Sequence, residues 1–127
     1  MRSNYGLKRL ARGHSKKMAK AKKIWHGKGV HLARSKVTPK KGFWGFLDNL
    51  FTSYSTSGEN VAMMPMGKLI GFKNSIKTNK DVAKAFHKSW MNSLGHKKNI
   101  LNPNFSLIGI GIKRKEKKFY ATQIFCG

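Results

Sequence analysis

The stretch Ser106-Leu107-Ile108-Gly109-Ile110-Gly111-Ile112-Lys113-Arg114, followed by Phe119-Tyr120-Ala121-Thr122-Gln123-Ile124-Phe125, contains two runs that alternate with the period of a β-strand. One run turns on Ile108, Ile110 and Ile112. The other turns on Phe119, Ala121 and Gln123, or on Tyr120, Thr122 and Ile124. The basic spacer Lys113 to Lys117 is short enough to return the chain directly, so the pair reads as an antiparallel hairpin with a basic tip.

The segments before the hairpin supply helices to cover it. Thr78-Asn79-Lys80-Asp81 has a capping residue followed three positions later by an acid, which marks a helix start. Val82, Ala83, Phe86, Trp90 and Leu94 continue it as an apolar stripe, and Gly95 is the expected stop. Upstream, Glu59 to Met64 reads as a strand ended by Pro65, after the turn-like Ser53 to Gly58. Phe43-Trp44-Gly45-Phe46 through Phe51 reads as a short aromatic helix, with Gly27, Gly29 and Pro39 in an irregular connection before it.

Near the start, Leu7, Leu10, Ala11, His14, Met18, Ala21 and Trp25 recur at steps of three and four, predicting a helix from about Leu7 to Ile24. Its other faces are basic: Arg9, Arg12, Lys16, Lys20 and Lys23 form a stripe, with Lys8, Lys17 and Lys22 beside it. Like charges four apart oppose an isolated helix. Packing of the apolar face or a bound polyanion must therefore hold it.

The chain has 127 residues, a length that suits one domain spanning 1–127. It carries 27 Lys and Arg against four acids, Asp48, Glu59, Asp81 and Glu116, for a formal charge of +23. Such self-repulsion calls for counter-ions or an anionic partner, and nucleic acid and anionic membrane are the usual ones. A merely solvated basic surface is the bland alternative. Cys126 has no second cysteine to pair with, so stability cannot rest on an internal disulfide. The first thirty residues lack a signal-peptide apolar run and no stretch approaches a membrane span, which favours a cytoplasmic setting and an absence of transmembrane segments.

No phosphate loop, paired-cysteine motif or nucleophile elbow occurs. The residues left to carry chemistry are His26, Glu59 and His96, each at the end of a predicted element. His14 reads as a satisfied histidine on the apolar helix face. His31 and His87 read as surface residues.

Six motifs in order resemble the CAP superfamily, which includes cysteine-rich secretory proteins, antigen 5 and plant pathogenesis-related class 1 proteins, and in particular its prokaryotic branch. They are His14-Ser15 with Met18-Ala19, Trp25-His26, Gly58-Glu59-Asn60-Val61-Ala62, Trp90 through Leu101, Ile108-Gly109-Ile110-Gly111, and Tyr120 through Phe125. The resemblance implies an α+β fold, a three-layer α/β/α sandwich around a central antiparallel sheet. It also implies an open cleft that gathers His26, Glu59 and His96.

In many relatives a second acid stands three residues after the helix Trp, where this chain has Ser93. The remaining groups would bind a divalent ion of the zinc class, with Glu59 as third ligand or general base, or else only cross-link helix and sheet. The loss weakens any case for hydrolysis, so a binding domain is favoured over an enzyme. Relatives are also proposed to hold sterols or fatty acids near aromatics such as Phe43, Trp44, Phe46 and Phe51, although a core role is the simpler reading.

Two departures from the family stand out. Residues 1–13 look like a truncated or divergent N-terminal part, and the apolar surface this would expose suggests self-association or a docking protein. The second departure is charge. Arg9, Arg12, Lys16, Lys20, Lys23, Lys97, Lys98, Lys113, Arg114, Lys115, Lys117 and Lys118 are the candidate polyanion-binding residues. Phosphate contacts to nucleic acid, within an RNA-rich or DNA-rich assembly, are the leading reading. Anionic lipid and a metal-binding cleft are the alternatives.

Overall fold

The computed structural model describes residues 1–27, 56–66 and 78–127. In chain order the elements are β1 (Arg2–Ser3), α1 (Tyr5–Ala21), β2 (Ser57–Pro65), α2 (Asn79–Met91), α3 (Leu94–Ile100), β3 (Leu107–Lys115) and β4 (Lys118–Cys126). The strands form one sheet in the order β1-β3-β4-β2. The β2–β4 and β3–β4 pairs are antiparallel, while two-residue β1 runs parallel to β3. Helix α1 covers one face and α2 with α3 cover the other. The architecture is the α+β three-layer sandwich that the resemblance implies, with one short parallel edge added.

The strand register decides which side chains meet which helix. Gly109 is opposite Ile124 and Gly111 opposite Thr122, while Glu59 and Val61 face the same two positions from β2. This is the α1 face. Leu7, Ala11, Ser15, Met18 and Ala19 are the buried side of α1, and Met18 and Ala19 pack with Val61 and Tyr120.

The close approach depends on two glycines. A Cβ on Gly109 would run into the Leu7–Lys8 backbone, and one on Gly111 into that of Ala11–Arg12. Ser15 then fastens the contact, donating to the Gly111 carbonyl at 2.8 Å and lying 2.8 Å from the Thr122 hydroxyl. Since the carbonyl can only accept, the second bond takes its proton from Thr122.

The opposite face holds a further core. Val82, Ala85, Phe86 and Trp90 of α2 close over Met64 and Ala121, with Ile112 and Phe119 at the margin. Burying a side chain of this size contributes about 2–3 kcal/mol, and Trp90 also donates its indole N–H to the Val61 carbonyl at 3.4 Å. The expected α2 start is present as a reciprocal capping box, Asp81 N–H to Thr78 Oγ1 at 3.1 Å and Thr78 N–H to Asp81 Oδ2 at 3.0 Å.

Four local expectations need correction. α1 starts at Tyr5, capped by Asn4, and ends at Ala21 because Lys22 turns left-handed at φ 56, so Ile24 and Trp25 lie beyond it. Gly95 does not stop α2. That helix ends at Met91, and Gly95 falls in the first turn of α3. Ala85 takes the buried place expected of Ala83, and Leu94 is 72% exposed. In the hairpin, Lys113 to Lys115 remain in β3, leaving Glu116 and Lys117 as the connection, with Glu116 at φ 55. The short aromatic helix, Phe43, Trp44, Phe46, Phe51, His31 and Pro39 lie outside the described residues.

Candidate functional site

Among the described strands β2 is an edge of the sheet, and elements from both helical layers reach its Glu59 end. Glu59 projects toward the α1 layer, and its side chain is only 10% exposed. The segment after α1 wraps over it: the Gly27 N–H donates to Glu59 Oε1 at 2.8 Å, and His26 Nδ1 stands 3.0 Å from the same oxygen.

His14 sits beneath this hook, half-buried. Its Nε2 lies 2.7 Å from the Trp25 carbonyl, which fixes the proton on that nitrogen. The Trp25 ring meets the imidazole edge-on, with centroids 5.4 Å apart. A Cβ on Gly27 would stand 3.0 Å from both His14 Nδ1 and Glu59 Oε2, so these two polar atoms face one small space. His14 is satisfied, as the sequence suggests, but its place is in the cleft wall.

From the other side of the edge comes α3. Asn60, fully buried, donates to the His96 carbonyl at 3.1 Å and to Gln123 Oε1 at 3.0 Å, and accepts from Asn99 at 2.8 Å. Asn99 also reaches the Glu59 carbonyl at 3.3 Å. One amide network therefore fixes the α3 backbone at His96 to the β2 backbone at Glu59. His96 is half-buried, and its pKa is lowered first by that burial and then by charge on nearby His26, which keeps its imidazole neutral at neutral pH.

Of the predicted cleft residues, His26 and Glu59 are joined directly and His96 is brought to their vicinity. Ser93 is the N-cap position of α3 and makes no side-chain cap bond. Neutral imidazoles and a carboxylate suit a zinc-class ion chemically. Among the described residues no three His, Cys, Asp or Glu gather as a ligand set, and Glu59 Oε1 is shared between Gly27 and His26. Asn99 is a site residue that reading for catalytic types passes over, and His14, read as a satisfied histidine on the helix face, belongs to the site as well. Their signal was position, one three residues after His96 and the other within the His14-Ser15 motif.

The basic residues divide into groups. Arg9, Arg12, Lys16 and Lys20 are exposed along α1, with Lys23 just past its end. Lys113 and Lys115 share the α1 face of β3, whereas Arg114 points to the other face and donates from Nε to the Glu116 carbonyl at 3.2 Å. Lys117 and Lys118 complete the tip. Lys97 and Lys98 are exposed on α3, in the opposite layer. The tip lies six positions along β4 from the level of Glu59, about 20 Å away.

With fold and cleft established, comparison with known proteins gives a family. The family model described as CAP, cysteine-rich secretory protein family, matches residues 3–126. The chain belongs to the CAP family.

An uncharacterized protein of Bacillus subtilis (strain 168), YkwD, is 49% identical over 59 residues, covering 46% of this chain and 17% of that protein. The crystal structure of an extracellular protein containing an SCP domain, from Bacillus anthracis str. Ames, is 27% identical with a TM-score of 0.57, covering 99% of this chain and 33% of that one. An outer surface protein from Borrelia burgdorferi shares the fold at 16% identity and a TM-score of 0.62, covering 99% of this chain and 76% of that one. This CAP domain thus spans a minor part of the two Bacillus proteins. No helix among its described residues is long and apolar enough to cross a membrane.

Proposed function

We propose that this CAP domain binds nucleic acid through phosphate contacts on the basic surface formed by α1 and the β3–β4 tip. The observation that carries the reading is the convergence of lysines from two separate elements, Lys16 and Lys20 of α1 with Lys113 and Lys115 of β3, on one concave surface. Scattered charge on a solvated surface gives no reason for such convergence. A surface built to meet a chain of phosphates does.

Binding of this kind releases counter-ions, so affinity falls steeply with salt and depends little on sequence. The test is fluorescence anisotropy of a labelled oligonucleotide between about 50 and 200 mM salt, with flotation on anionic vesicles alongside. The expected result is strong, salt-sensitive oligonucleotide binding. Absence of binding, insensitivity to salt, or vesicle binding that outlasts oligonucleotide binding as salt rises would overturn it.

A further inference from the structure

We infer that the channel between α1 and β3 is the track for a single phosphodiester strand, with consecutive phosphates bracketed between a helix lysine and a strand lysine. The inference rests on the nucleic-acid reading and adds where the strand lies and how it is held.

The channel is an open depression of about 410 Å³ lined by Gly13, Lys16, Lys17, Ala19 and Lys20 of α1 and by Lys113 and Lys115 of β3. A second cavity, of about 230 Å³, shares Lys115 and carries the track on to Lys22, Lys117 and Lys118.

Spacing supports the same conclusion. Lys16 and Lys20 are one helical turn apart, about 6 Å along the axis. Lys113 and Lys115 are alternate strand residues on one face, about 7 Å apart. Both intervals approximate the repeat of phosphates along a nucleic-acid strand. The lysines of each wall can then meet successive phosphates, and the two walls meet the same ones.

The lining of the channel also bears on its ligand. Among the described residues no aromatic side chain lines the larger cavity, and Tyr120 beside the smaller one is only 1% exposed. Bases therefore find no stacking platform in these walls, and the strand is held by its backbone alone.

The test uses the full chain, a labelled oligo(dT) probe and three charge-matched double variants. Lys16→Gln/Lys20→Gln and Lys113→Gln/Lys115→Gln each take two lysines from one side of the depression, while Lys80→Gln/Lys84→Gln removes the same charge from exposed positions on α2. Each of the first two variants is expected to weaken oligo(dT) binding by roughly tenfold and to make it less steeply dependent on salt than the wild type. The α2 variant is expected to change neither by more than about twofold, and oligo(dA) is expected to match oligo(dT).

As a measurement that needs no variant, acetylation of the wild-type complex is expected to spare Lys16, Lys20, Lys113 and Lys115 while modifying Lys80 and Lys84. Equal losses in all three variants, or uniform protection, would overturn the channel and leave nucleic-acid binding standing. Failure of the wild type to bind oligonucleotide would remove both readings.

Discussion

Lys22 Nζ lies 3.3 Å from Glu116 Oε1, joining the residue that caps α1 to the turn between β3 and β4. Among the described residues these are also the two non-glycine positions with positive φ, 56° and 55°. Their side chains are 60% and 65% exposed, so the pair adds little stability. Its position matters more, because Glu116 places the only carboxylate among the described walls of the lysine channel at the end of its second cavity.

Glu116→Gln is therefore expected to leave the urea midpoint almost unchanged while strengthening oligonucleotide binding, because Lys22 becomes free for a phosphate. The salt slope should steepen by about 0.7. Lys22→Gly is expected to have the opposite profile, raising stability by about 1 kcal/mol through relief of the left-handed backbone. Urea denaturation and anisotropy on the two variants separate the effects.

Gly111→Ala should damage the fold. The added Cβ meets the backbone of Ala11–Arg12, which cannot rotate aside, and the shift would also strain Ser15 against the Gly111 carbonyl and Thr122. A loss of about 3 kcal/mol is expected. Gly13→Ala provides the comparison, since a Cβ there meets nothing within 4 Å and a helical alanine is favoured over glycine by about 1 kcal/mol. Thermal unfolding of both checks the opposite signs.

These glycines also show what the sequence could convey. The alternation of Ile108, Ile110 and Ile112 correctly announced a strand, yet the face between them, carrying Gly109 and Gly111, takes α1. Periodicity finds the two faces of a strand but does not say that absence of side chains is what a helix needs. Similarly, Gly95 after an apolar stripe reads as a helix stop, whereas the chain re-enters helix at Leu94 and the His96 carbonyl there is held by Asn60. His26 and Glu59 were legible because motif and chemistry agreed. Asn99 and His14 were less so, since each acts by holding backbone in place.

Asn60→Ala is expected to cost about 2–3 kcal/mol, because the Asn99 amide, Gln123 and the His96 carbonyl would lose a buried partner together. Asn99→Ala should cost less, since its side chain is only partly buried. Chemical denaturation measures both, and additive losses in the double variant would show that the network does not act as a unit.

Zinc is expected to bind the wild type weakly, because Glu59 Oε1 already holds the Gly27 N–H and His26. Calorimetric titration decides the matter. A sub-micromolar isotherm abolished in both His26→Ala and His96→Ala would instead make the cleft a metal centre and require His26 to release Glu59.

The pH dependence of stability should carry the mark of His96. Its folded pKa lies below the ordinary 6.5 through burial and the charge of His26, so the unfolded chain takes up a proton at a pH where the folded chain does not. The contribution is therefore present above 6.5 and is lost as pH falls through the lowered folded value. Stability should decline on acidification from about pH 7.5 toward 5.5, and His96→Gln should flatten part of that decline. The glutamine should leave the Asn60 bond intact, because Asn60 holds the His96 backbone carbonyl and not the ring. Urea midpoints measured across the range for both proteins test this, and parallel curves would show that His96 is not responsible.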